Sequence, residues 1–232
     1  MPGSLLASVP VAPSAFNGVT EALAVLVLLV VFAMLREALL RSQIRLYAFQ
    51  SLAVSGLAAL LGASQHAGEL YVLATLSLVL KVVIVPAVVL RLLAEAEVDL
   101  AGSHRFGVAT ALLLAVVVSV FGFLAIGDIH INPSGSGSLP VPALGAAAAT
   151  VLVSFVLVMF RADVVSQAVG FFSMENGVSV ASLVVAARMP LILEVGFLFD
   201  LLVAVVAFGV LMRAHHRRAA SLSTETLDQL RG

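Results

Sequence analysis

Long apolar runs, bounded by charged, histidine or turn-forming residues, divide almost the whole of this 232-residue chain. A helix needs about 20 apolar residues to span the hydrocarbon core of a bilayer, where each backbone polar group must be satisfied within the protein. The runs at 21–34, 46–63, 70–90, 106–126, 141–160, 164–187 and 191–212 predict about seven such helices, the first reaching full length with some of its flanks. The expected fold is therefore an all-α membrane protein. Composition agrees, since 62% of the residues are hydrophobic and 11% are charged, whereas soluble domains are about a quarter charged. The start of the chain has no basic segment and no small-residue cleavage motif after a short apolar core, so the first run is expected to be a retained helix.

Arginines set the expected orientation, because Lys and Arg in short loops stay on the cytoplasmic side. The loops after the first, third and fifth helices carry Arg36, Arg41, Arg45, Arg91, Arg105 and Arg161, and the tail adds Arg213, Arg217, Arg218 and Arg231. The opposite side offers Arg188 alone. This predicts an N-terminus outside and a C-terminus in the cytoplasm. Four segments follow: a set of about four helices over 1–127, an extracytoplasmic loop over 128–142, a three-helix unit over 143–213 and a cytoplasmic tail over 214–232. The loop holds Asp128, His130, Pro133 and the run SGSGS, which suits neither helix nor buried strand. The tail's STETLDQL reads better as a solvated end than as a short amphipathic piece.

Several function classes are excluded. Twelve Lys and Arg against thirteen Asp and Glu leave a net charge of −1, so no basic face exists for nucleic acid. With no cysteine, the chain has no disulfide, no thiolate-held iron–sulfur cluster and no cysteine nucleophile. Asp128 and His130 stand together, but two groups do not make a metal site, and neither metal nor cofactor is expected. No HExxH, GxSxG or helically spaced aspartate pair is present, so no catalytic residue is assigned.

The chemistry lies in charges placed where lipid forbids them. Lys81 is the single lysine and sits at the middle of the third helix. A charge there costs about 2.5–3.5 kcal/mol on insertion scales, so it needs a partner, a water-filled cavity or a change of protonation. Pro86, five residues on, removes a backbone donor and predicts a local break. Glu175 lies near the centre of the sixth helix, next to Asn176, with Ser179 and Ser182 on the same face by helical periodicity. The seventh helix carries Asp200 at mid-span and Glu194 nearer the outer end, on different faces. Gln50 and Ser51 of the second helix are neutral groups suited to bonding a neighbouring helix. Two roles compete for Lys81, Glu175, Asp200 and Glu194: proton relay or energy coupling, and structural pairing of helices. Whether Lys81 pairs with Glu175 or Asp200 is open at this stage. A weak internal similarity relates helices two and three to helices six and seven, with Lys81 and Asp200 in comparable places.

The segments SMENG around Glu175, EVGFLFD ending at Asp200, YAFQS in the second helix and LVLKVVIVP around Lys81 resemble the hydrogenase-4 component E family, over nearly the whole chain. The last three helices are also similar to the K subunit of bacterial complex I, whose mid-membrane glutamate matches Glu175 by position, and to the C subunit of multi-subunit cation/proton antiporters. The resemblance implies a membrane-arm subunit of a complex I-like, group 4 nickel–iron hydrogenase-like assembly of the formate hydrogenlyase type. It would sit in a bacterial or archaeal cytoplasmic membrane, in contact with lipid. Antiporter-like membrane subunits and peripheral redox subunits would be its partners. Glu175 and Asp200 would pass protons while Lys81 alters their proton affinity, supported by Gln50, Asn176 and Ser179. An inert scaffold and a stand-alone ion transporter are the alternatives.

Overall fold

A computed structural model describes residues 15–66, 68–95, 107–127 and 141–185, together with Leu202, Val205, Val206 and Gly209. The helices are α1 (Ala15–Arg36), α2 (Leu40–Gln65), α3 (Gly68–Ser77), a π-helical segment (Leu78–Ile84), α4 (Val85–Glu95), α5 (Val108–Gly127), α6 (Val141–Phe160) and α7 (Val164–Val185). The α3, π and α4 pieces form one continuous span, Gly68–Ala94. Among the described residues six helices are thus long and apolar enough to cross a membrane, and the chain is a multi-pass, all-helical membrane protein. They coincide with the first six expected runs. Of the seventh run, Leu202, Val205, Val206 and Gly209 are helical, Val205 is buried, and a Cβ built on Gly209 would lie 3.3 Å from Leu92 of α4. The rest of that run, including Glu194 and Asp200, lies outside the described residues, as do Asp128, His130, Arg188 and the tail.

Local chemistry explains where the helices stop. His66 adopts the left-handed conformation (φ 52°) and returns its backbone N–H to Gly62 O, closing α2. Asp163 opens α7: its Oδ1 accepts from the Ser166 backbone N–H at 2.7 Å, satisfying one of the free donors of the first turn. The π-helical segment ends next to Pro86. A proline ring clashes with the carbonyl four residues back, here Val82, and cannot donate to it. The wider π coil, with Val85 N–H bonded to Leu80 O, accommodates that defect and places Lys81 at its centre.

The central α6 packs against α5, α7 and α1. Small residues bring its neighbours close: a Cβ on Gly122 of α5 would lie 2.9 Å from Ala149 N, and one on Gly177 of α7 would lie 2.9 Å from Val151 Cγ2. Two apolar clusters result. One gathers Met34, Leu35, Leu40, Ile44, Val89, Leu93 and Phe160 at the end of the bundle where Arg36, Arg41 and Arg161 stand. The other gathers Ala24, Leu57, Leu61, Leu70, Leu73, Ala143 and Leu183 toward the opposite end. A layer of buried polar side chains separates them.

Candidate functional site

The polar layer is built around Lys81, which is wholly buried. Its Nζ lies 2.5 Å from Glu175 Oε1, 3.0 Å from Ser179 Oγ and 3.4 Å from Asn176 Oδ1. An ammonium has three donors, and three acceptors spaced over about one turn of α7 meet them. Glu175, Asn176 and Ser179 face one way because residues three and four apart stack on a helix. Ser179 also donates toward Glu175 Oε1 at 3.5 Å, so one hydroxyl touches both members of the ion pair.

Asn176 carries the network across to α2. Its Nδ2 donates to Gln50 Oε1 at 3.1 Å and to Ser51 Oγ at 3.0 Å, and Gln50 Nε2 donates in turn to Val27 O of α1 at 3.0 Å. A continuous set of hydrogen bonds thus joins α1, α2, α7 and the π-helical segment at mid-height. Ser55 and Ser77 bond to each other at 3.2 Å, tying α2 to the end of α3 just before the π-helical segment.

Lys81, Glu175, Asn176, Ser179, Gln50 and Ser51, all singled out from sequence, therefore come together. Of the two partners left open for Lys81, Glu175 is in contact and Asp200 lies outside the described residues. Ser182, expected on the same face, makes no hydrogen bond to the cluster. The local break expected at Pro86 takes the form of the π-helical segment just before it.

Two residues belong to this architecture that sequence reasoning passed over. Tyr47 is 1% exposed, its ring 5.6 Å from that of Phe172, with its hydroxyl near Ser51 and within electrostatic reach of Glu175. The signal available in sequence was its position four residues before Ser51. Arg161 appeared only as a topology marker, which understates it. At 2% exposure, its guanidinium donates to Leu35 O at 3.2 Å and to Glu37 O. Those carbonyls close α1 and lack intrahelical partners. Burial pulls the Arg161 guanidinium below its ordinary value, while the Asp163 and Glu37 carboxylates act in the opposite sense.

An acid and a base held in direct contact, away from bulk water and bridged by a hydroxyl, can exchange a proton without diffusion. The same contacts make a clamp between two helices. Among the described residues no group of three or more His, Cys, Asp or Glu is placed to hold a metal ion.

Sequence comparison points the same way as the motifs. The chain is distantly similar to hydrogenase-4 component E. It is 25% identical over 186 residues to that protein of Escherichia coli, covering 80% of this chain and 85% of the relative, and the match in Shigella flexneri is the same. An uncharacterized protein of Mycobacterium tuberculosis is 28% identical over 194 residues, covering 83% of this chain and 86% of the relative. No family model matches, and no solved structure matches. The homology to component E is distant but spans most of both chains, and it supports the family resemblance carried by SMENG and LVLKVVIVP.

Proposed function

We propose that this chain is a membrane subunit of a hydrogenase-like redox complex, in which the Lys81–Glu175 pair handles protons. The homology to hydrogenase-4 component E supports the setting. One observation carries the role: the only lysine of the chain is buried at mid-membrane, in a π-helical segment, 2.5 Å from a buried glutamate. Ionisable groups inside a membrane mark proton and ion pathways more often than decoration, and π-helical segments frequently mark functional sites. In this reading Glu175 takes a proton when the ion pair opens, Lys81 stays held by Ser179 and Asn176, and release of that proton restores the pair. Asp200 and Glu194 extend the relay along the seventh run. Redox chemistry belongs to peripheral subunits, since this chain has no cysteine for iron–sulfur clusters. The likeness of the last three helices to the complex I K subunit, the antiporter-like neighbours, the formate hydrogenlyase setting and the cytoplasmic membrane with the C-terminus inside are parts of the same proposal.

A scaffold reading has one specific point in its favour: every donor of Lys81 is already satisfied, as in a static clamp. Two measurements separate the readings. Affinity purification of the tagged chain from its native membrane in mild detergent is expected to bring along cysteine-rich redox subunits and other membrane subunits. Proton translocation by that complex is then compared with a Glu175→Gln variant. Loss of translocation with assembly intact supports the relay, and unchanged translocation leaves the scaffold. A chain that purifies alone removes the complex itself.

A further inference from the structure

Another line of polar residues approaches the ion pair along α2. Gln43, Tyr47, Ser51 and Ser55 recur every four residues, so they share one slowly winding strip of the helix, and all four are buried. At a rise of 1.5 Å per residue the strip runs for about 18 Å. It begins below the turn between α1 and α2, where Gln43 Nε2 donates to Glu37 O at 2.8 Å. It reaches the relay at Ser51, bonded to Asn176, and ends where Ser55 and Ser77 bond to each other.

The two halves of this strip differ. On the side of the arginine-rich loops, Gln43 Oε1 and Tyr47 Oη are buried without a protein partner at hydrogen-bonding geometry. Buried polar atoms of this kind are satisfied by ordered water when the site is polar enough to give that water several partners. Tyr47 Oη has such company in Ser51 and Glu175. Past the pair, Ser55 is consumed by Ser77, and the buried residues that follow on α2, Leu57, Ala58 and Leu61, are apolar.

We propose that Gln43, Tyr47 and Ser51 line a narrow hydrated path that connects the arginine-rich end of the bundle to Glu175 and stops there. Its purpose, proton supply to the pair, rests on the relay reading given above; its hydration does not. Gln43 Oε1 anchors water by accepting a hydrogen bond and takes no proton. Tyr47 Oη accepts an excess proton from a hydronium on the path, which returns to neutral water, as it releases its own proton toward the Glu175 carboxylate, so one O–H bond breaks for each that forms and no oxidant or reductant is involved. The ring of Phe172 holds Tyr47 in line.

Because the chain contains no native cysteine, water access can be read one position at a time. Single cysteines at Gln43, Ser51 and, as a dry control, Leu57 are placed in the full chain, in sealed native membrane vesicles of both orientations. A small charged thiol reagent, which the thiolate attacks and which so reports access to water, is expected to modify the Gln43→Cys and Ser51→Cys chains at least about tenfold faster than Leu57→Cys. That advantage is expected only when the reagent reaches the arginine-rich face. Equal rates at all three positions, or faster reaction from the opposite face, overturn the path whatever the fate of the relay. Tyr47→Phe supplies the functional arm, since it keeps the packing on Phe172 and removes the hydroxyl. Translocation by the intact complex is expected to fall several-fold. Normal translocation with Tyr47→Phe, where Glu175→Gln abolishes it, overturns the path and leaves the relay standing. Normal translocation with both variants removes the relay reading, and the labelling rates still decide whether the path holds water.

Discussion

α7 and α5 are of similar length and both cross the apolar layer, but they sit in it oppositely. α7 carries Ser166, Gln167, Ser173, Glu175, Asn176 and Ser179, and fourteen of its residues are buried. α5 carries almost nothing polar, and four of its residues are buried: Ala111, Ala115, Ser119 and Gly122. Leu113, Val116, Val117, Val120, Phe121 and Leu124 of α5 are exposed. In water the apolar helix would be the interior one. In lipid the apolar helix meets the solvent, and polar groups retreat inward because only other protein groups can bond them. The inside of this protein is therefore defined by its hydrogen bonds as much as by its hydrophobic packing.

The largest effect expected from this contrast follows loss of the central cation. Lys81→Met leaves Glu175 buried and uncompensated, and removal of one partner from a buried ion pair destabilises by about 3–5 kcal/mol. We expect a marked drop in the thermal unfolding midpoint in detergent and reduced accumulation in membranes. The double variant Lys81→Met, Glu175→Gln removes both charges and is expected to recover much of that loss. If Lys81→Met alone is neutral, Glu175 sheds its charge without cost and the ion pair does not clamp α7 to the π-helical segment.

A smaller effect is expected at Arg161, where α6 turns into α7. Arg161→Ala withdraws the donor from Leu35 O and one of the two donors of Glu37 O, which keeps Gln43 Nε2, and a buried acceptor left without a partner, here Leu35 O, costs about 1–3 kcal/mol. Arg161→Lys keeps the charge but lacks the planar fork that reaches two carbonyls, so it is expected to recover only part of the stability. Full rescue by lysine, measured by the same unfolding midpoint, makes charge rather than carbonyl capping the reason for its burial.

The contrast between α5 and α7 was only partly legible in the sequence. Lys81 and Glu175 stood out because a charge within a long apolar run has no bland explanation in lipid. Gln50, Ser51, Asn176 and Ser179 followed as the polar groups on the same stretches. Tyr47 did not stand out, because an aromatic inside an apolar run reads as packing or as an interfacial anchor. Arg161 was hidden by its position, since an arginine at a helix end already satisfies the topology rule. Helix order did not say which helices touch, so the pairing of Lys81 with Glu175 required the fold. Pro86 announced a defect, but proline alone does not decide between a kink and a π-helical segment.

The buried stripe of α5 gives a third test, of similar or lesser size. A Cβ at Gly122 would meet the backbone of Ala149 at 2.9 Å, whereas a Cβ at Gly145 of α6 would meet the side chain of Phe123, which can rotate. Gly122→Ala is expected to cost about 1–3 kcal/mol by forcing α5 and α6 apart. Gly145→Ala should cost less, and the order of the two unfolding midpoints checks it. The reverse order shows that Phe123 is locked and that the α5–α6 seam is governed by side chains rather than by backbone approach.

The smallest effect on the chain itself is expected on the open face of α5. Phe121 and Leu124 are 63% and 65% exposed, so truncation to alanine removes few protein contacts, and exposed substitutions usually stay within about 0.5 kcal/mol. In the purified chain, Phe121→Ala and Leu124→Ala should leave the unfolding midpoint unchanged. The informative readout is what co-purifies from the native membrane. If the recovered subunits are unaffected, lipid is the neighbour of α5 and the contrast with α7 is one between solvent-facing and interior helices. If the variants fold normally but lose a partner subunit, the apolar face of α5 is a protein interface. Burial by another chain then explains its composition as well as lipid does, and the difference between the two helices becomes one between an interface and a polar core.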